Sequence, residues 1–159
     1  MLIRAMSKED IPQVAAFEAE IAAISFGSEA VTNPLEHIPK ITRALAKGRD
    51  IMMVLSEAEK VMGWLWISIN TNMFTGDLYA NFRSFALHPQ IRGSEYGQQL
   101  FAAGLEKVTK VGGVSKVVGK VHVDNIPMRL LYKQLGFAPV HLTMELSLPN
   151  KSTDTRNET

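Results

Sequence analysis

HPQIRGSEYGQQLF, residues 88–101, joins three signals in fourteen positions. The apolar run Tyr79 to His88 reads as a strand, and it stops at Pro89. Gly93 and Gly97 mark a turn that lets a ligand approach the backbone. Leu100, Phe101, Gly104, Leu105 and Val108 then recur at helical spacing until Gly112-Gly113 stops the helix. A strand, a glycine turn and a helix N-terminus form an anion site, because first-turn N–H groups lack intrahelical partners and the helix dipole is positive there. Short glycine turns before helices are common, so the turn alone is a weak signal.

Strand and helix patterns alternate on either side. Downstream, Val114 to Val123 reads as a strand. Asp124-Asn125-Ile126-Pro127 starts a helix carrying Leu130, Leu131 and Leu135, with Gly136 as its stop, and Phe137–Val140 and His141–Leu148 read as strand. Upstream, Leu2 to Met6 is a first strand. Asp10-Ile11-Pro12 opens a helix with Val14, Phe17, Ile21 and Ile24 on its apolar stripe. Asn33-Pro34 opens another, with Ile38, Ile41 and Leu45, stopped by Gly48. Ile51–Leu55, a polar turn Ser56–Lys60 and Val61–Ile69 make an antiparallel hairpin. Trp64 and Trp66 share one face and read as core. Thr71 to Asp77 is a loop. The order β-α-α-β-β-β-α-β-α-β predicts an α/β (α+β) domain on a mixed sheet.

Composition narrows the function. The chain has 159 residues, 46% of them hydrophobic and 21% charged, the size and make-up of one globular domain. Lys and Arg number 17 against 16 Asp and Glu, a net charge of +1, which gives no electrostatic case for nucleic acid or an anionic membrane as partner. Without cysteine, disulfides, thiolate metal sites and a Cys nucleophile are excluded, and a reducing cytoplasm fits. His37, His88, His122 and His141 are scattered, so no metal site is expected. The most apolar run, Trp64 to Ile69, is far short of the roughly 20 residues that cross a bilayer. The N-terminus reads as mature sequence. From residue 149 the tail has no apolar residue but Pro149 and should be disordered, leaving 1–148 as the domain.

HPQIRGSEYGQQLF followed, after a helix and a strand, by DNIPMRLLYKQLGF (124–137) resembles the GNAT superfamily, the acyl-CoA-dependent N-acetyltransferases. Gln90, Gly93 and Glu95 stand on its Q/R-x-x-G-x-G/A pyrophosphate motif. Asn125, Tyr132, Gly136 and Phe137 stand on its N-x-x-A-x-x-x-Y-x-x-x-G-F signature. The resemblance implies a mostly antiparallel mixed sheet with a central splayed parallel pair and helices on both faces. It implies acetyl-CoA as acyl donor and a primary amine of a small molecule or peptide as acceptor. The backbone of Phe85, Ala86 and Leu87 would pair with the pantetheine arm, and the amides of Arg92, Gly93, Ser94, Glu95, Tyr96, Gly97 and Gln98 would hold the pyrophosphate. Asn125 would touch the arm from the other side. Tyr132 would sit near the thioester sulfur as general acid, and the Leu87 N–H would stabilise the oxyanion. Tyr79, Asn81 and Arg83 would approach the acceptor. A homodimer is compatible with the resemblance.

Three positions depart from the family pattern. Glu95 replaces Gly or Ala beside a diphosphate, and Met128 replaces a usual Ala in the groove. The strand Tyr79–Phe85 carries no carboxylate to serve as base. His122, Asp124 and Glu20 remain as base candidates, His122 having the better chemistry. Arg83 on an apolar strand predicts an anionic partner, either a substrate group or a carboxylate such as Glu20 or Asp124. The departures leave a second reading: a weakly catalytic module that binds acyl-CoA or another ligand as a sensor.

Overall fold

The computed structural model describes residues 1–149; the expected disordered tail lies outside them except for Pro149. Five strands form one sheet in sequence order: β1 (Leu2–Ala5), β2 (Ile51–Glu57), β3 (Lys60–Thr71), β4 (Leu78–Leu87) and β5 (Val114–Gly119). All neighbours are antiparallel except β4 and β5, which are parallel and are joined by a helical crossover. The helices are α1 (Ile11–Phe26), α2 (Pro34–Lys47), α3 (Tyr96–Val111) and α4 (Ile126–Gln134).

Three of the four helices start where local chemistry supplies a cap or a proline; α3 has neither. Asn33 accepts from the Leu35 N–H at 3.1 Å and Asn125 from the Met128 N–H at 3.2 Å, each ahead of a proline in the first turn. Ahead of α1, Asp10 accepts from the backbone N–H of Ser7 at 2.8 Å and is paired with Arg4 at 2.7 Å.

Alternation along β2 and β3 sends side chains to two cores. Met53, Leu55, Leu65 and Ile67 pack with Leu100, Phe101 and Val108 of α3 and with Tyr132 of α4. Met52, Val54, Trp64 and Trp66 pack on the opposite face with Val14 and Phe17 of α1 and Ile41 of α2. Burying each of these large side chains stabilises the fold by about 1.5–3 kcal/mol. Gly104 lets α3 lie directly on the sheet, since a methyl group there would collide with Leu65.

Three expectations are corrected. The stripe of α1 leaves the sheet before its end, so Ile24 is exposed. The strand from Val114 stops at Gly119, not Val123, because β4 and β5 diverge there and the ladder has no partner. Residues 138–148 form no strand. Val140, Leu142, Met144, Leu146 and Leu148 alternate as a strand's apolar face would, yet all are exposed. Alternation supplies one face of a strand, but a strand also needs an edge to bond to, and this segment is joined to none.

Candidate functional site

The last β4–β5 pair is Phe82 with Gly119. Beyond it β4 runs on from Arg83 to Leu87 paired with β3 only. A register shift aids the parting: Trp66 pairs with Ser84 and Ile67 with Phe82, so Arg83 is the extra residue of a β-bulge. The His88 N–H donates to the Met62 carbonyl of β3 at 2.8 Å. Since successive residues point their hydrogen-bonding groups to opposite edges, the amides of Phe85 and Leu87 point away from β3, to the side β5 has left. The amides of Phe85 and Leu87 thus lie on an edge with no strand partner among the described residues, available to an extended ligand, while the Leu87 carbonyl on that edge already accepts from Arg92 Nε.

Tyr132 faces this opening. Its ring is buried against Phe82, Phe101 and Phe137. Its hydroxyl reaches Gly119, where a methyl group would collide with it. Burial pushes the phenol up to about 12. The hydroxyl is therefore protonated through the physiological range and has no hydrogen-bond partner among the described residues.

The turn of residues 92–98, expected to hold an anion, leads into the start of α3. Gly93 has φ +77°, a conformation that favours glycine. Gly97 has a packing duty: a methyl there would come within 3.1 Å of Leu87, so it lets α3 approach the end of β4. Ser94 Oγ donates to the Ile91 carbonyl at 2.6 Å and shapes the turn. Glu95 occupies the N-cap position, but its exposed side chain caps nothing. Gln98 is exposed at the same end and bonds Gln134 of α4 at 3.4 Å, while Tyr96 is half-buried. Arg92 crosses the turn: its Nε donates to the Leu87 carbonyl at 3.0 Å, and its guanidinium pairs with Glu20 of α1. Three amides of the turn are already committed, the Arg92 N–H to the Pro89 carbonyl, the Ser94 N–H to the Ile91 carbonyl and the Tyr96 N–H to Ser94 Oγ, which leaves those of Gly93, Glu95, Gly97 and Gln98 without a partner among the described residues.

The Acetyltransferase (GNAT) family model matches residues 18–137. The chain belongs to the GNAT acetyltransferase family. No match is found among curated proteins. Solved structures share the fold at low identity. An aminoglycoside 6'-N-acetyltransferase from Acinetobacter haemolyticus is 15% identical with a TM-score of 0.71, covering 94% of this chain and 99% of its own. A transcriptional regulator from Bacillus halodurans is 17% identical with a TM-score of 0.75, covering 92% and 99%. A mutant protein from the same organism is 20% identical with a TM-score of 0.77, covering 94% and 100%.

The remaining residues expected at this GNAT site fall in different places. Asn125 caps α4 through Oδ1, which leaves its side-chain N–H groups free. Met128 is half-buried in the α3–α4 core. His122 is exposed on the loop after β5, where its Nδ1 accepts from the Asp124 N–H at 3.2 Å. Tyr79 and Asn81 lie opposite Asn70 and Ser68 of β3. Arg83 is exposed, not buried, and neither Glu20 nor Asp124 pairs with it; its guanidinium lies over the Trp66 ring, 4.4 Å from the centroid.

Sequence reasoning missed Glu18. This buried carboxylate of α1 accepts from the Trp64 indole at 2.9 Å and from Lys40 at 2.8 Å. Burial alone would raise its pKa; the bonds from Lys40, Ser84 and Trp64 overcome that and hold it below the usual carboxylate range. The signal was present in the spacing, because Val14, Phe17, Glu18 and Ile21 follow one i, i+3, i+4, i+7 stripe. Among the described residues no group of His, Asp and Glu is placed to hold a metal ion, and no helix is long and apolar enough to cross a membrane.

Proposed function

We propose that the protein transfers an acetyl group from acetyl-CoA to a primary amine by direct attack. One observation carries this reading: the Tyr132 hydroxyl lies against Gly119, at the point where β4 and β5 part. Amine attack on a thioester develops an oxyanion and expels a thiolate. The Leu87 N–H is an oxyanion donor on the free edge of β4. Tyr132 donates its phenolic hydrogen to the developing thiolate. Burial serves this role in part, since it keeps the proton in place, but a pKa of about 12 makes full transfer less favourable than from an ordinary phenol. Hydrogen-bond donation as charge develops is therefore the larger part of its contribution.

Glu18 is too strongly stabilised as an anion by its three donors to serve as base, and Glu20 is paired with Arg92. Proton removal from the ammonium then proceeds through water, with His122, exposed on the loop after β5, as the candidate side chain. The test is coenzyme A release, followed with a thiol reagent over a panel of amines and a range of pH. Acetyl-CoA-dependent release that rises with pH toward the acceptor pKa, about 10 for an alkylamine, supports the reading. An acidic limb that vanishes in His122→Gln assigns the base to that imidazole. Tight acetyl-CoA binding with no release from any amine would favour the sensor reading, which the lack of a carboxylate on β4 motivates.

A further inference from the structure

A pocket of about 210 Å³ lies between α2 and the β3–β4 face of the sheet, separate from the turn at residues 92–98. Its charge is one-sided. Lys40, Arg43 and Lys47 of α2, Arg49 just beyond that helix and Arg83 of the β4 bulge line it, with Trp66 and Ser68 as part of its floor. Asp50 is the one carboxylate in the lining, and its Oδ2 accepts from the Trp66 indole at 2.7 Å. Lys40 is committed to Glu18. Arg43, Lys47, Arg49 and Arg83 have no carboxylate partner among the described residues.

Part of this charge has a structural duty. Lys47 lies in the last turn of α2, where a cation offsets the helix dipole. Arg43 and Arg83 have no such duty. Arg43 sits three residues after Lys40 and four before Lys47, so α2 gathers three like charges on one face, an arrangement that costs helix stability. Arg83 is aimed by the bulge and held over the Trp66 ring, an arrangement that fixes the guanidinium and leaves its N–H donors unspent. A guanidinium fixed in this way, with Arg43 lining the same pocket and unpaired among the described residues, matches the planar oxygens of a carboxylate or phosphate. Arg83 is also the first β4 residue past the last β4–β5 pair, so the Arg83 end of the pocket lies next to the point where the two strands part.

We infer that this pocket binds a carboxylate or phosphate group of the acceptor, with Arg43 and Arg83 as the principal contacts. The inference deepens the acetyltransferase reading and, for the acceptor, rests on it. The acceptor is then an amine that also bears an anionic group, bound from the α1–α2 face.

The test uses the full chain saturated with coenzyme A, so that the turn at 92–98 is filled. Inorganic phosphate is titrated while the Trp66 indole and arginine Nε–H resonances are followed by NMR. Saturable shifts are expected, weakened at least tenfold in Arg43→Met and in Arg83→Met; both side chains are exposed, and a thermal melt checks that each variant folds. No saturable shift, or variants that titrate like the wild type, would overturn the inference. In a second arm, amines that differ only in a carboxylate or its amide are compared as acceptors. The carboxylate is expected to lower KM tenfold or more in the wild type and to lose that advantage in Arg83→Met. Equal KM values with good turnover would sink the anion pocket and keep the acetyltransferase. Phosphate binding without turnover of any amine would keep the anion site and sink the acetyltransferase.

Discussion

The Tyr132 hydroxyl rests against Gly119, the last residue of β5 that pairs with β4. The contact couples a chemical group to the place where the sheet opens, because only a residue without a side chain leaves room for the phenol there. Tyr132→Phe keeps the ring packing and removes the donor. It should lower kcat by about 10²-fold, the usual size of one acid–base contribution, with acetyl-CoA affinity nearly unchanged. Gly119→Ala should displace the phenol, lowering both kcat and thermal stability. Steady-state kinetics and a melting curve for both variants check this. Wild-type turnover in Tyr132→Phe would remove the residue from the chemistry.

With a diphosphate held at the 92–98 turn, Glu95 would act on it through its charge, since its side chain caps nothing. A carboxylate in the first turn favours the helix by roughly 0.3–1 kcal/mol and repels a bound diphosphate. An exposed, rotatable side chain keeps about 1 kcal/mol of that repulsion, or several-fold in Kd. Glu95→Gly should tighten acetyl-CoA binding several-fold at low salt and less at high salt, as read by calorimetric titration at two ionic strengths.

Asp10 sets an acid limb of stability. The Arg4 guanidinium, with the Ser7 bonds, overcomes burial and lowers its pKa from 3.8 to about 2. The unfolded chain therefore takes up the proton first as pH falls. The contribution is complete above about pH 4 and is lost as pH drops toward 2. It amounts to at most about 2 kcal/mol, with Arg4 partly open to water. Urea melts of wild type and Arg4→Met should differ at pH 6 and converge near pH 2.

Lys40 should matter more for Glu18 than for the surface. Lys40→Met leaves the buried carboxylate with the Trp64 and Ser84 donors alone. A loss of about 1–3 kcal/mol is expected at pH 7, the cost of an under-satisfied buried group, with a smaller loss at pH 4 where Glu18 takes up a proton more readily. Chemical denaturation at the two pH values measures it. An equal loss at both would show that Lys40 acts through its place over the Trp66 ring, its Nζ 5.5 Å from the centroid.

Much of the frame was local and so legible in the chain. Pro89, Gly93 and the stripe from Leu100 to Val108 mark the strand end, turn and helix through backbone conformation and 3.6-residue periodicity. Asn33-Pro34 and Asn125 ahead of Pro127 announce α2 and α4 because caps and first-turn prolines act within a few residues. The tertiary structure decided what depends on register and on partners distant in sequence. The bulge at Arg83 arises from β4's pairing with β3, and it turns an arginine expected to be buried into an exposed side chain over Trp66. The buried bond of Glu18 to Trp64 spans 46 positions. Alternation from Val140 to Leu148 was plain in the sequence, but a strand exists only when another edge completes its hydrogen bonds, and no local pattern encodes that edge.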